Sequence, residues 1–264
     1  MDRRTVTRTE LKRAAARRAL SFVESGMVLG LGTGSTVEPF VELLGSAVSA
    51  GELSEIVGIA TSVRTAKLAE RVGIRLTSLS GTKVIDLTVD GADEVAPGLD
   101  LTKGLGGALL REKMVARASR RFVVVADDSK LVERLGRKAP LPVEVIPWEH
   151  EVHVSFFEEL GAEPRLRMEG REPYRTDNGN FIYHLAWAEP ADPVSVQAAL
   201  AARAGVVESG FFLGMADFAV VAGSARVELL RRGGGERREE LAQADDRRGA
   251  AAGSGEGSHP GARA

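Results

Sequence analysis

Cysteine is absent from the sequence, so the fold owes nothing to disulfides and no thiolate can hold a metal. That composition fits a reducing cytoplasm, where we expect the protein to work. No apolar run reaches the roughly 18 residues of a membrane span. We expect no signal peptide either, because the basic residues Arg3, Arg4 and Arg8 lead into an amphipathic helix. A formal net charge of −2 gives no global field that would draw nucleic acid. Lysine is scarce as well: seven of the 35 basic residues are Lys, so a lysine inside a candidate site is less readily incidental.

What is present is an ordinary globular composition, 44% hydrophobic and 27% charged. A chain of 264 residues fits one large α/β domain or two smaller ones. Thr7 and Glu10 have capping-box spacing, so a helix starts near Arg8 and carries Lys12 in its first turns. Met27 to Leu31 reads as a buried strand, followed at once by GTGST (Gly32 to Thr36) and a helix from Val37 to about Leu44. Strand, glycine loop and helix N-terminus in that order make an anion site, because the backbone bends closely and free N–H groups meet the helix dipole. Ser35 and Thr36 add hydroxyl donors. The loop is not a dinucleotide fingerprint, since Ser35 stands where glycine is required. The next strand, Ile56 to Ala60, ends in Thr61-Ser62 and not in an acid. Nor is it a P-loop, for no Gly-Lys-Ser/Thr follows. It suits one small phosphate.

Further on, a helix ending at Gly73 and the strand IRLTSL continue the alternation that implies a doubly wound, mostly parallel sheet, Rossmann-like in architecture. The strand VIDLTV (Val84 to Val89) then leads into DGADEVAPGLDLTKGLGGALLRE. Here two acids three apart, Asp90 and Asp93, sit at a strand end. Lys103, Gly104, Gly106, Gly107 and Glu112 sit where a helix begins, with Leu109, Leu110, Met114, Val115 and Ala118 as its expected apolar side. Asp-Gly pairs and loop lysines are often plain turn punctuation; convergence with GTGST on one sheet edge argues for chemistry. The strand Arg121 to Asp127 brings Lys130 to the same edge.

Prolines at 140, 142, 147 and 164 mark a change of character. A helix from Glu149 to Leu160, strands Glu163 to Met168 and Asn180 to Trp187 with a turn at Asn178-Gly179, and a helix from Pro193 to Ala204 form an expected α+β insertion. Asp217 to Gly223 returns to the parallel sheet. We therefore expect an α/β domain over 1–137 plus 214–230, a smaller α+β lid or oligomerisation domain over 138–213, and a disordered tail over 231–264. His150 and His153 have HxxH spacing but no third ligand nearby, so no metal site is expected.

GTGST, DGADE, KGLGGALLREK, ADDSK and LPVEVIP, in this order and spacing, resemble ribose-5-phosphate isomerase of the A type, as do TDNGN and FFLGMAD further on. The resemblance covers about residues 7 to 228 and leaves the tail without a counterpart. It implies a cytosolic, cofactor-free and metal-free homo-oligomer, commonly a dimer, acting on a small sugar phosphate. Carried across motif by motif, it makes Glu112 the catalytic base and gives substrate contacts to Asp90, Gly91, Ala92, Asp93, Lys103, Gly104, Leu105 and Gly106. Thr33, Gly34, Ser35 and Thr36 would also contact substrate, and Lys12 and Lys130 would help hold its phosphate. The family usually shows KGGG, whereas this chain has Leu105 for glycine; a positive φ there would strain a leucine.

The residue types suit aldose–ketose exchange independently. An enediolate route needs one base reaching both carbons, a cation or donors for the oxyanion, and a grip on the distant phosphate. Glu112 would be the base and Lys103 the oxyanion stabiliser, with Asp90 and Asp93 moving hydroxyl protons and opening the ring. Two other readings compete: a different sheet-edge enzyme, such as a sugar-phosphate deaminase or coenzyme A transferase, and a non-catalytic sugar-phosphate sensor. The insertion is short for a coenzyme site, and no DNA-binding segment is evident for a sensor.

Overall fold

Short β-branched runs alternating with helices build a parallel sheet in the computed structural model, which describes residues 7–233. In chain order the elements begin α1 (Arg8–Leu20), β1 (Val28–Leu31), α2 (Glu38–Ser49), β2 (Val57–Ala60), α3 (Val63–Arg71) and β3 (Arg75–Leu76). Next come β4 (Leu87–Gly91), β5 (Glu94–Val95), β6 (Leu101–Thr102), α4 (Leu109–Arg117) and β7 (Phe122–Asp127). The middle of the chain holds β8 (Leu141–Val145), α5 (His153–Glu159), β9 (Glu163–Leu166), β10 (Met168–Glu169), β11 (Glu172–Pro173), β12 (Phe181–Ala186) and α6 (Pro193–Ala202). It closes with β13 (Val206–Ser209), β14 (Phe211–Phe212), β15 (Phe218–Ala222) and β16 (Val227–Arg231).

The main sheet has the order β16-β15-β7-β4-β1-β2-β3 and is parallel except for β16, which runs antiparallel beside β15. From β1 the chain winds outward through β2 and β3, then returns to β4 on the other side of β1 and winds outward the opposite way. The strand order therefore reverses between β1 and β4, and such sheets bind ligands beyond the C-terminal ends of the strands at that point. Helices α1, α2 and α3 cover one face with Ala15, Ala16, Ala19, Phe40, Leu44 and Leu68 against Leu29, Leu31, Leu87 and Val89. On the other face, Val115 of α4 packs on Ile59 and Ile85. The capping box at Thr7 forms as its spacing predicts, with the Glu10 N–H donating to the Thr7 hydroxyl at 3.3 Å.

The inserted residues form a four-stranded antiparallel sheet, β13-β8-β12-β9. Alternate residues Leu141, Val143 and Val145 meet Phe157, Phe181, Tyr183, Leu185 and Leu200 in a second core, which leaves Pro142 and Glu144 on the opposite face of β8. A three-stranded sheet, β14-β6-β5, bridges to the first core; this and the edge strand β16 were not foreseen from the sequence.

Several boundaries differ from the sequence expectation. The strand expected over Val84 to Val89 runs instead from Leu87 to Gly91, so Asp90 lies within the sheet, paired with Val124, and not after it. The expected apolar side of α4 is wrong in part: Met114 is 50% exposed, and the buried side includes Glu112 and Lys113. Hydropathy misleads here because both charges have buried partners. The helix expected from Glu149 starts later, since Glu149 has φ 49° and a 3-10 turn at His150–Val152 precedes α5. The strand expected over Glu163 to Met168 breaks at Arg167, between β9 and β10. Arg231 closes β16, inside the segment expected to be tail; residues beyond 233 lie outside those described.

Glu94 fastens the two parts together. It has no exposed surface, and its Oε1 accepts from the Lys138 and Ala139 N–H groups at 2.6 and 2.9 Å. Its Oε2 accepts from the Gly136 N–H at 2.6 Å and the Thr102 hydroxyl at 3.0 Å. Glu94→Ala would leave two buried and two part-buried donors without acceptors, at about 1–3 kcal/mol for each buried group left unpaired. A loss of at least about 3 kcal/mol in urea unfolding is expected; an unchanged midpoint would show that the clasp is dispensable.

Candidate active site

Asp90 is placed by the two central strands. It is the penultimate residue of β4, between β1 and β7, and its Oδ1 accepts from the N–H groups of Thr33 (3.1 Å) and Gly91 (2.7 Å). Gly32 must lack a side chain, because a Cβ there would stand 2.2 Å from Asp90 Oδ1. The loop after β1 is steadied by a cluster of hydroxyls. Thr33 Oγ1 lies 2.7 Å from Thr61 Oγ1 and donates to Ser62 Oγ at 2.8 Å, while Thr65 Oγ1 donates to the Gly32 carbonyl at 2.9 Å. Thr61 and Ser62 stood out in the sequence only for lacking an acid; the structure makes them the footing of the GTGST loop. Ser35 and Thr36 follow at the entrance to α2, and among the described residues their N–H groups donate to nothing, so they remain free for an anion. Lys12 reaches across from α1 to donate to Ser35 Oγ at 2.8 Å.

Lys103 is the centre of the site. Its ammonium lies 3.0 Å from Asp90 Oδ2 and 3.4 Å from Glu112 Oε2, and it donates to the Gly91 carbonyl at 2.6 Å. Asp90 is fully buried, Lys103 is 2% exposed and Glu112 3% exposed. One buried cation thus faces two carboxyl groups with little water to share the charge. Desolvation, reinforced by Asp90 and then Asp93, pushes the Glu112 carboxyl up to about 8 although Lys103 pulls it down. Burial likewise raises Asp90 against the opposing pull of Lys103. Burial works against the Lys103 ammonium, yet Asp90, Glu112 and Asp93 outweigh it and its pKa is raised.

Asp93 turns to the KGLGG loop and accepts from the Leu105 N–H at 2.9 Å. Gly104 has φ 106°, a conformation that side chains resist, and Leu109 crowds the place where its Cβ would be. Leu105 does not share that need. The described non-glycine residues with positive φ are Glu55, Leu99 and Glu149, so the anticipated strain at Leu105 is absent. Its carbonyl accepts from Arg167 Nη1 at 2.9 Å, and the Arg167 guanidinium stacks 3.7 Å from the Tyr174 ring centroid. Neither Arg167 nor Tyr174 belongs to a local motif, so nothing in their neighbourhood along the chain points to this place.

Thr33, Asp90, Lys103 and Glu112 are therefore joined by contacts of 3.1, 3.0 and 3.4 Å; Gly91 attaches directly to that chain, and Asp93 and Leu105 bond each other in the adjoining loops. Gly34, Ala92 and Gly106 lie in the same loops. Lys12, Ser35 and Thr36 form the neighbouring anion end. Lys130 is not drawn in: it ends the single turn Asp128–Lys130 beyond β7 and, among the described residues, makes no hydrogen bond or ion pair with the others. His150 and His153 go elsewhere, the first bonding the Tyr183 hydroxyl at 2.8 Å and the second stacking on Phe157.

Comparison with known proteins bears on this constellation. Residues 57–226 match the family model described as ribose 5-phosphate isomerase A (phosphoriboisomerase A). The chain is 46% identical over 222 residues to ribose-5-phosphate isomerase A of Deinococcus radiodurans, covering 84% of this chain and 98% of that one. It is 49% identical over 221 residues to the Gloeobacter violaceus protein of that name, covering 83% and 95%. A solved D-ribose-5-phosphate isomerase in complex with phospho-erythronic acid superposes with TM-score 0.84 at 40% identity, covering 86% of this chain and all (100%) of the other. The Methanocaldococcus jannaschii ribose 5-phosphate isomerase A superposes with TM-score 0.80 at 37% identity, covering 85% and 100%.

The raised Glu112 carboxyl carries a thermodynamic consequence. A group that titrates at about 8 when folded, against 4.5 ordinarily, holds its proton more tightly in the folded chain. Its stabilising contribution is complete below pH 4.5 and is lost as pH rises to about 8. Glu112→Gln cannot titrate, so its stability relative to the parent should increase across that interval in urea unfolding. A difference that stays constant with pH would contradict the burial of this charge.

Proposed function

The chain belongs to the ribose-5-phosphate isomerase A family and interconverts ribose 5-phosphate and ribulose 5-phosphate, and from that premise we propose how its residues divide the work. Glu112 is the base that carries a proton between C1 and C2. Lys103 stabilises the oxygen charge that builds up in the enediolate, and the Ser35 and Thr36 end of the GTGST loop, with Lys12, grips the phosphate. Asp90 and Asp93 move hydroxyl protons and help open the furanose ring. Lys130, just beyond β7 on the same sheet edge, adds an auxiliary contact to the bound phosphate although it bonds none of the other site residues.

The observation that carries this reading is the buried Asp90–Lys103–Glu112 group, one contact away from the GTGST amides. A carboxylate with its pKa raised toward working pH is a stronger base than one at 4.5, and it still ionises. An ammonium already fixed beside it needs no reorganisation when negative charge appears on the substrate. The phosphate end supplies orientation that the small reacting end lacks. Phospho-erythronic acid, bound by the solved relative, pairs a phosphate with a planar carboxyl group, the two ends that this division of labour requires.

We read the enzyme as metal-independent, since Lys103 stands between the carboxyl groups where a metal ion would otherwise be needed. We further read it as a cytoplasmic homodimer or higher homo-oligomer, with residues 138–213 serving as lid and oligomer contact. In support, Arg167 and Tyr174 of that module lie over the KGLGG loop, and Trp148 and Val152 expose apolar surface.

Glu112→Gln should lower kcat by about three orders of magnitude or more and abolish deuterium uptake at C2 from heavy water, with KM little changed. The parent's kcat/KM should climb with pH toward a plateau above about 8, as the free carboxyl ionises. Retained label uptake in the variant would remove Glu112 from the role of base. Ser35→Ala combined with Thr36→Ala should raise KM roughly tenfold and leave kcat nearly intact; an unaltered KM would withdraw the phosphate assignment.

A further inference from the structure

Helix α4 buries two adjacent charges, Glu112 and Lys113, and only the first has a part in proton transfer. Lys113 is 2% exposed, and its ammonium stands 2.6 Å from Glu208 Oε1 and donates to the Ser209 carbonyl at 2.6 Å. It also lies 4.9 Å from the centre of the Phe212 ring. The same short segment holds Lys103. The Lys103 N–H donates to the Gly210 carbonyl at 2.8 Å, and its ammonium stands 5.4 Å from the same ring. Gly210 permits this approach, since a Cβ there would stand 2.1 Å from the Lys103 carbonyl oxygen. The Gly210 N–H in turn donates to the Pro142 carbonyl at 2.7 Å, which ties the segment to β8.

We propose that Lys113 is a positioning residue: with Glu208 and the Ser209 carbonyl it locks α4 onto the segment 208–212 and so sets the distance between Glu112 and Lys103. Both members of the reacting pair are then referred to one piece of backbone, Lys103 through its peptide N–H and Glu112 through its neighbour in the helix. An ion pair whose lysine is buried and whose glutamate is half-buried contributes little net stability against its desolvation cost, and its best use is to fix a register. Fixing the register matters here because a displacement of about 1 Å between reacting groups can cost on the order of 100-fold in rate.

The inference rests on Glu112 as the base, and the test separates the two. Lys113→Met keeps the unbranched side chain as far as Cε and removes the ammonium; Glu208→Gln removes the partner's charge. In variants shown by urea unfolding to be folded, each should lower kcat roughly 10- to 100-fold with KM for ribose 5-phosphate within about twofold of the parent. The double variant should be no slower than the slower single one, because one clamp can be lost only once. Should Lys113→Met not fold, Glu208→Gln carries the same comparison. A folded variant with kcat within about threefold of the parent, a loss of kcat accompanied by a KM raised well beyond about twofold, or multiplying effects in the double variant would overturn the clamp. If those results appear while Glu112→Gln is inactive, the clamp fails and the base stands; an active Glu112→Gln removes the base itself.

Discussion

An ammonium with two carboxyl groups, all nearly out of contact with water, is an arrangement that most of this molecule is needed to hold. Lys103 cannot neutralise both Asp90 and Glu112, and burial makes the surplus negative charge costly. The protein answers by supplying dipoles to one carboxylate and leaving the other with fewer. Asp90 receives two backbone N–H groups in addition to Lys103, which oppose the rise that burial imposes on it, while Glu112 has no backbone donor among the described residues and is pushed up to about 8. Two like groups are thus pushed apart in behaviour by their surroundings, the condition under which one can remain fixed while the other exchanges protons.

That division depends on the order of strands. β4 lies between β1 and β7, so Asp90 near its C-terminal end receives an amide from the loop after β1 and sits at the reversal of winding. Had β4 been an edge strand, Asp90 could not have been both fully buried and bonded to the GTGST loop. The hydroxyls of Thr33, Thr61, Ser62 and Thr65 keep that loop in place without adding charge, which a site already carrying a surplus could not easily absorb.

The contiguous motifs were legible in the sequence because each brings its own chemistry in a few residues: the glycines and hydroxyls of GTGST, the acids of DGADE, the lysine and glycines of KGLGG. The alternation of strands and helices was legible for the same reason, as hydrophobic periodicity is local. What escaped was non-local or contrary to hydropathy. Arg167, Tyr174, Glu208 and Phe212 reach the site from 55 or more residues away from Glu112 in sequence, by virtue of pairings that no single segment announces. The buried face of α4 was misjudged because a pattern of apolar residues cannot reveal that Glu112 and Lys113 face inward and Met114 outward. Charged residues enter a core only with partners, and the partners were elsewhere in the chain.

Leu105 shows how a motif can misstate the physical requirement behind it. A run of glycines suggests that each position needs glycine, but two different constraints operate and neither applies at 105. Gly32 must lack a Cβ because Asp90 occupies its space, and Gly104 must adopt a positive φ. Leu105 contributes through its backbone alone, giving its N–H to Asp93 and accepting Arg167 at its carbonyl, and both bonds are open to any residue with ordinary dihedral angles. The departure from the family pattern is therefore accommodated at a place in the loop where the peptide, and not the absence of a side chain, performs the task.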